Sequence, residues 1–89
     1  MVIKHPSQKA RDAALKDARM HLYLLSDIRC RPSDEARMLA RVHAKAAKLA
    51  RTYRKLNPGL KLSDATVLQE LNAEARRRGP LCPVLGKDL

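Results

Sequence analysis

Apolar residues recur along this chain at the three- and four-residue steps of helices, and nowhere at the two-residue alternation of strands. In the first periodic segment Leu15, Ala18, Leu22 and Leu25 follow at three, four and three, flanked by Ala14, His21 and Ile28. Pro6 cannot sit in a helix interior, and the Ser7 hydroxyl can accept from a free amide of a first turn, so a helix is expected over about 8–29. Met20, Tyr23 and Leu24 fall on the side opposite that stripe. They make the helix's second half apolar nearly all round, and are expected to meet a third helix, a partner protein or a second copy.

The strongest periodicity follows. Leu39, Val42, Ala46, Leu49, Tyr53 and Leu56 repeat at three, four, three, four and three, the seam of two closely packed helices. Arg31-Pro32 disfavours helical geometry at Arg31, and Ser33-Asp34-Glu35 offers a cap and two carboxylates for the positive end of a helix dipole. A helix is therefore expected over 34–56, closed by the turn tripeptide Asn57-Pro58-Gly59. A third helix, over 64–78, is announced by Ser63 as cap, Asp64 at the dipole and Leu62 stapled on Val67. Leu68, Leu71 and Ala75 are its inward stripe, and Gly79-Pro80 ends it. The apolar residues of 80–89, broken by Pro83, read as an extended tail. The pattern predicts an all-α fold: a long helical hairpin with a shorter third helix, forming one small three-helix domain over 1–79.

Composition then narrows how such a bundle is held together. The 89 residues include no Phe or Trp and only two tyrosines, so leucine and alanine must fill the core. A buried CH₂ contributes about 0.8 kcal/mol, so an alanine-rich core is thin, and a homodimer would supplement it.

Charge changes the picture more. Nineteen Lys and Arg against nine Asp and Glu give a formal +10. The excess is concentrated on the second helix, where Arg37, Arg41, Lys45, Lys48, Arg51, Arg54 and Lys55 occur with no acidic residue among them. Solvated helix faces usually alternate sign to gain pairing one turn apart, whereas like charges repel. Such a row, extended by Arg76, Arg77 and Arg78 or else leaving that triplet to complement the third helix's carbonyl end, favours a polyanion.

Catalysis is not expected. Ser7, Ser33 and Ser63 are better explained as caps, and no glycine-flanked serine elbow is present. His5, His21, Cys30, His43 and Cys82 are scattered singly, which gives no metal spacing, and Gly59, Gly79 and Gly86 stand apart rather than forming a phosphate loop. No metal, nucleotide or other cofactor is expected. His21 and His43 flank apolar seams and read first as satisfied interface histidines, the alternative being a pH-sensitive contact between them across an antiparallel pair.

A helix-turn-helix is not supported, because the link from Asn57 to Ser63 is too long and the third helix carries Glu70 and Glu74. Base stacking lacks aromatic platforms. The expectation is thus a small basic nucleic-acid-binding protein, DNA or RNA, that contacts the phosphate backbone without strong sequence readout. The alternative is a protein-interaction module, an adaptor or inhibitor of the kind phages and plasmids encode, pressed on an acidic protein surface. Membrane-surface binding ranks third, since the apolar face of the second helix is too alanine-rich to insert well. Two unpaired cysteines and the lack of a signal-peptide pattern lead to an expected cytoplasmic location.

Overall fold

A computed structural model describes residues 2–26 and 31–81 of the chain. Three helices account for most of them: α1 (Gln8–Ser26), α2 (Pro32–Leu56) and α3 (Asp64–Arg78). Among the described residues there is no strand, and the fold is a small all-α three-helix bundle. Among the described residues no helix is long and apolar enough to cross a membrane.

Local chemistry sets the helix ends. At α1 the Ser7 hydroxyl accepts from the Ala10 amide at 3.2 Å, and the Ser7 carbonyl accepts from Arg11. At α3 the Ser63 hydroxyl accepts from the Thr66 amide at 3.2 Å, while Leu62 and Val67 join the core on either side of that cap. Gly79 closes α3 with its amide on the Ala75 carbonyl and a φ of 91°, a left-handed value that a side chain disfavours. The start of α2 differs from expectation. Arg31, extended at φ −80° and ψ 143°, is the cap residue, Pro32 takes the first helical position, and no side chain caps the end. Proline is pre-set for that position and has no amide to leave unpaired, so Ser33 is already inside the first turn and is not the cap. The part of the first helix expected beyond Ser26, and the tail beyond Leu81, lie outside the described residues.

Helices α1 and α2 are antiparallel: Asp17, in mid-α1, meets Arg41 and Lys45 in mid-α2, and residues preceding α1 meet the end of α2. Arg54, near the end of α2, reaches Asp64 at the start of α3, so α3 turns back along α2. It therefore runs parallel to α1 and ends abreast of Arg19, whose Nε donates to the Gly79 carbonyl at 2.9 Å. The chain leaving α3 then crosses α1, with the Leu81 amide on the Arg19 carbonyl at 3.1 Å.

The core is Ala14, Ala18, Val42, Ala46, Leu49, Ala50, Val67, Leu71 and Ala75. More than half of these are alanines, which let the helices approach closely but bury little area each. The stripes read from spacing are shifted accordingly. On α1 the small residues Ala14 and Ala18 face inward and Leu15 and Leu22 sit half-buried at the edge, while Leu25 is 53% exposed. On α2 the seam runs through Val42, Ala46, Leu49 and Ala50, with Tyr53 half-buried and both expected end members, Leu39 and Leu56, exposed. The reason is length: α2 outlasts α3 at Leu39, and at Leu56 α1 has already given way to an extended segment. On α3, Leu68 is half-buried and Val67 takes the inward place beside Leu71 and Ala75.

That extended segment is clasped to α2. Asn57 pairs with the backbone of Lys4 in both directions, accepting from its amide and donating to its carbonyl, each at 2.8 Å. His5 Nδ1 lies 3.0 Å from the Tyr53 hydroxyl, with the rings edge to face, and Pro6 is buried.

Candidate nucleic-acid interface

The seven cations of α2 do not form one uniform row. At 3.6 residues per turn, Arg37, Lys48, Arg51 and Lys55 fall within about 60° of one another on the side opposite Val42 and Ala46. All four are exposed, and among the described residues their side chains have neither an ion-pair nor a hydrogen-bond partner. They span 18 residues, about 27 Å along the helix axis. Since α1 and α3 both pack on the other side of α2, no other described element covers this face, and the positions between the cations include the exposed alanines Ala40 and Ala44.

The other three cations turn aside. Arg41 and Lys45, one turn apart, both reach Asp17 on α1: Arg41 Nη2 lies 3.6 Å from Oδ1 and Lys45 Nζ 3.6 Å from Oδ2. Asp17 is only 3% exposed, and its Oδ2 accepts no hydrogen bond. Arg54 donates to the Leu62 carbonyl at 2.8 Å and pairs with Asp64 at 3.3 Å, which ties the α2–α3 link to the bundle. Among the described residues the seven expected cations thus resolve into four without a partner, two shared with a buried carboxylate and one tied to the α2–α3 link.

The arginine triplet of α3 is on a different surface. A groove of about 430 Å³ runs between α1 and α3, with Leu49 and Tyr53 of α2 among the residues lining it. Arg77 and Arg78 line it together with Arg11, Asp12, Glu70 and Glu74, a mixed-charge wall on the side of the bundle away from the α2 row. Both arginines bond Glu74, Arg78 through Nε at 2.9 Å. The bonds from Arg78 and then Arg77 hold the Glu74 carboxyl below its ordinary range. Arg76 is exposed. The triplet therefore does not extend the row on α2, and two of its members serve α3 internally.

Of the apolar residues expected to face a partner, Met20 is buried within this chain, beside the point where the chain leaving α3 crosses α1. Tyr23 and Leu24 are half-buried. What the hairpin end does expose is Leu25 together with Leu39, 37% exposed, because α3 stops short of it. His21 is buried in α1, whereas His43 is exposed on α2, so the two do not share an environment.

Sequence reading missed Asp17, although the signal was present: it lies between Ala14, Ala18 and His21 on the helix side that packs inward, where a carboxylate demands a cationic partner. The clasp on residues 4–5 carried no local signal, since its partners are far apart in the sequence. No protein family, curated protein or solved structure matches this chain.

Proposed function

We propose that this chain is a small basic nucleic-acid-binding protein that lays the outer face of α2 on a phosphate backbone, without strong sequence readout. One observation carries the reading: among the described residues, Arg37, Lys48, Arg51 and Lys55 stand unpaired on one exposed face about 27 Å long, directly away from the core. Four cations held this way repel one another, and phosphates relieve that repulsion while releasing counterions. Tyr53 is bonded to His5 and both tyrosines are half-buried, so the face offers cations and alanines rather than stacking platforms. Binding accordingly has a strong salt dependence and little base preference. With four phosphates neutralised on duplex DNA, log K falls with log salt at about −3.6, close to a 150-fold loss from ~50 to ~200 mM.

The test is fluorescence anisotropy with a labelled generic DNA duplex. Changing Lys48, Arg51 and Lys55 together to Glu should abolish binding. The same charge change at exposed Lys9, Lys16 and Arg76, off the α2 face, should leave most of it. Retained affinity in the α2 variant, or equal loss in both, refutes the assignment.

A second reading, a protein-interaction module of the adaptor or inhibitor type, is favoured by the exposed Leu25 and Leu39. A second copy seated there would also supply apolar area that the alanine-rich core lacks. A partner that survives nuclease treatment in a pull-down supports this reading, and a solution mass at the monomer value removes the dimer. In either reading the protein works in the cytoplasm.

A further inference from the structure

We propose that Asp17 is a built-in counter-anion to the α2 row, a positioning residue that turns Arg41 and Lys45 inward and so limits how many phosphates the face can engage. The inference rests on the phosphate-binding reading only for its consequence, because the geometry stands by itself. Asp17 projects from the α1 side that packs on α2, is almost wholly buried, and meets two cations one helical turn apart, each at 3.6 Å. These are ion-pair distances, beyond hydrogen-bonding reach, and both cations keep substantial exposure, 57% for Arg41 and 38% for Lys45. They lie at the boundary between the interior and the open face.

The register of α2 explains what this arrangement does. The longest interval in the free row is from Arg37 to Lys48, eleven residues or about 16 Å. Arg41 lies in that interval, about 40° around the helix from Arg37, and is the cation that would otherwise fill it. Asp17 draws it off together with Lys45. The two cannot leave together for an external anion without stranding a buried carboxylate, which is strongly unfavourable. The row is therefore divided, with Arg37 at one end and Lys48, Arg51 and Lys55 at the other.

The experiment compares Asp17→Asn with Asp12→Asn. Both raise the net charge by the same amount on the same helix, but Asp12 is exposed and faces the α1–α3 groove. Asp17→Ala repeats the test without a buried amide, on a face already built from Ala14 and Ala18. In salt titrations on the labelled duplex, the Asp17 variants should steepen the slope of log K against log salt by about 0.9 to 1.8, one or two further phosphates, while Asp12→Asn leaves it unchanged. Equal slopes for the Asp17 and Asp12 variants overturn the proposal. A second readout needs no nucleic acid. On a sulfonate cation-exchange resin the Asp17 variants should elute later than Asp12→Asn despite equal net charge, and co-elution also overturns it. If the parent protein fails to bind the duplex while the Asp17 variants still elute later, the phosphate-binding reading falls and the counter-anion role stands.

Discussion

Removing both cations that face Asp17, as Arg41→Gln with Lys45→Gln, should destabilise the protein far more than their exposure suggests. The two glutamines keep the helix propensity and the first two methylenes of each stem, so most of the loss is of charge. What remains is a carboxylate 3% exposed, with one oxygen that accepts no hydrogen bond. Stripping a buried charge of its partner costs about 3–5 kcal/mol, and the exposure of the cation side places this site at the lower end, about 3 kcal/mol. A chain of this length has a total stability of about 4–13 kcal/mol, so the loss is a large fraction of it. At about 4–8 °C per kcal/mol the melting temperature should fall by about 12–24 °C. The assay is urea and thermal unfolding followed by far-ultraviolet circular dichroism. Adding Asp17→Ala to the double variant should restore most of the stability, because no buried charge is then left, and the resulting cycle isolates the coupling. A double variant within about 1 kcal/mol of the parent, or a triple variant no more stable than the double, would refute a buried, cation-dependent Asp17.

Three further outcomes follow from the packing, the caps and Glu74. Val42→Ala removes two methyl groups from a fully buried site, so transfer and cavity terms together should cost about 2–3 kcal/mol, whereas Leu39→Ala, at a partly exposed end of the same expected seam, should cost under about 1; equal losses in denaturant midpoints would contradict the shorter core. Ser63→Ala loses the bond to the Thr66 amide and should cost about 1 kcal/mol, while Ser33→Ala, which caps nothing, should stay within about 0.5 by the same measurement. Because the folded state lowers the pKa of Glu74, its pairing with Arg78 and Arg77 stabilises the protein above the ordinary glutamate range and is lost as pH falls through the lowered value. Glu74→Gln should therefore lower the melting temperature slightly at neutral pH and not in strong acid; a difference independent of pH would show that charge is not its cause.

Much of the fold was legible in the spacing of apolar residues because helix formation is local. The three- and four-residue steps, the caps at Ser7 and Ser63, the turn at Asn57-Pro58-Gly59 and the stop at Gly79 each depend on neighbours within one or two turns, and each appears in the structure. The start of α2 was misjudged for an equally local reason, since Pro32 competes with Ser33 for the same end and is favoured at the first helical position. The outer row on α2 was legible as charge but not as a set of free groups.

What the sequence determined by itself is the all-helical pattern, the +10 charge and the placement of seven cations on one helix, because these need no knowledge of what lies across an interface. Only the tertiary structure decided which of those cations are available. Asp17 and Arg41 are 24 residues apart in the chain, and Arg54 meets Asp64 only after α3 has folded back along α2. An ion pair depends on separation in space at a few ångströms, and that separation is set by how antiparallel helices register on an alanine-rich core, which no local pattern encodes.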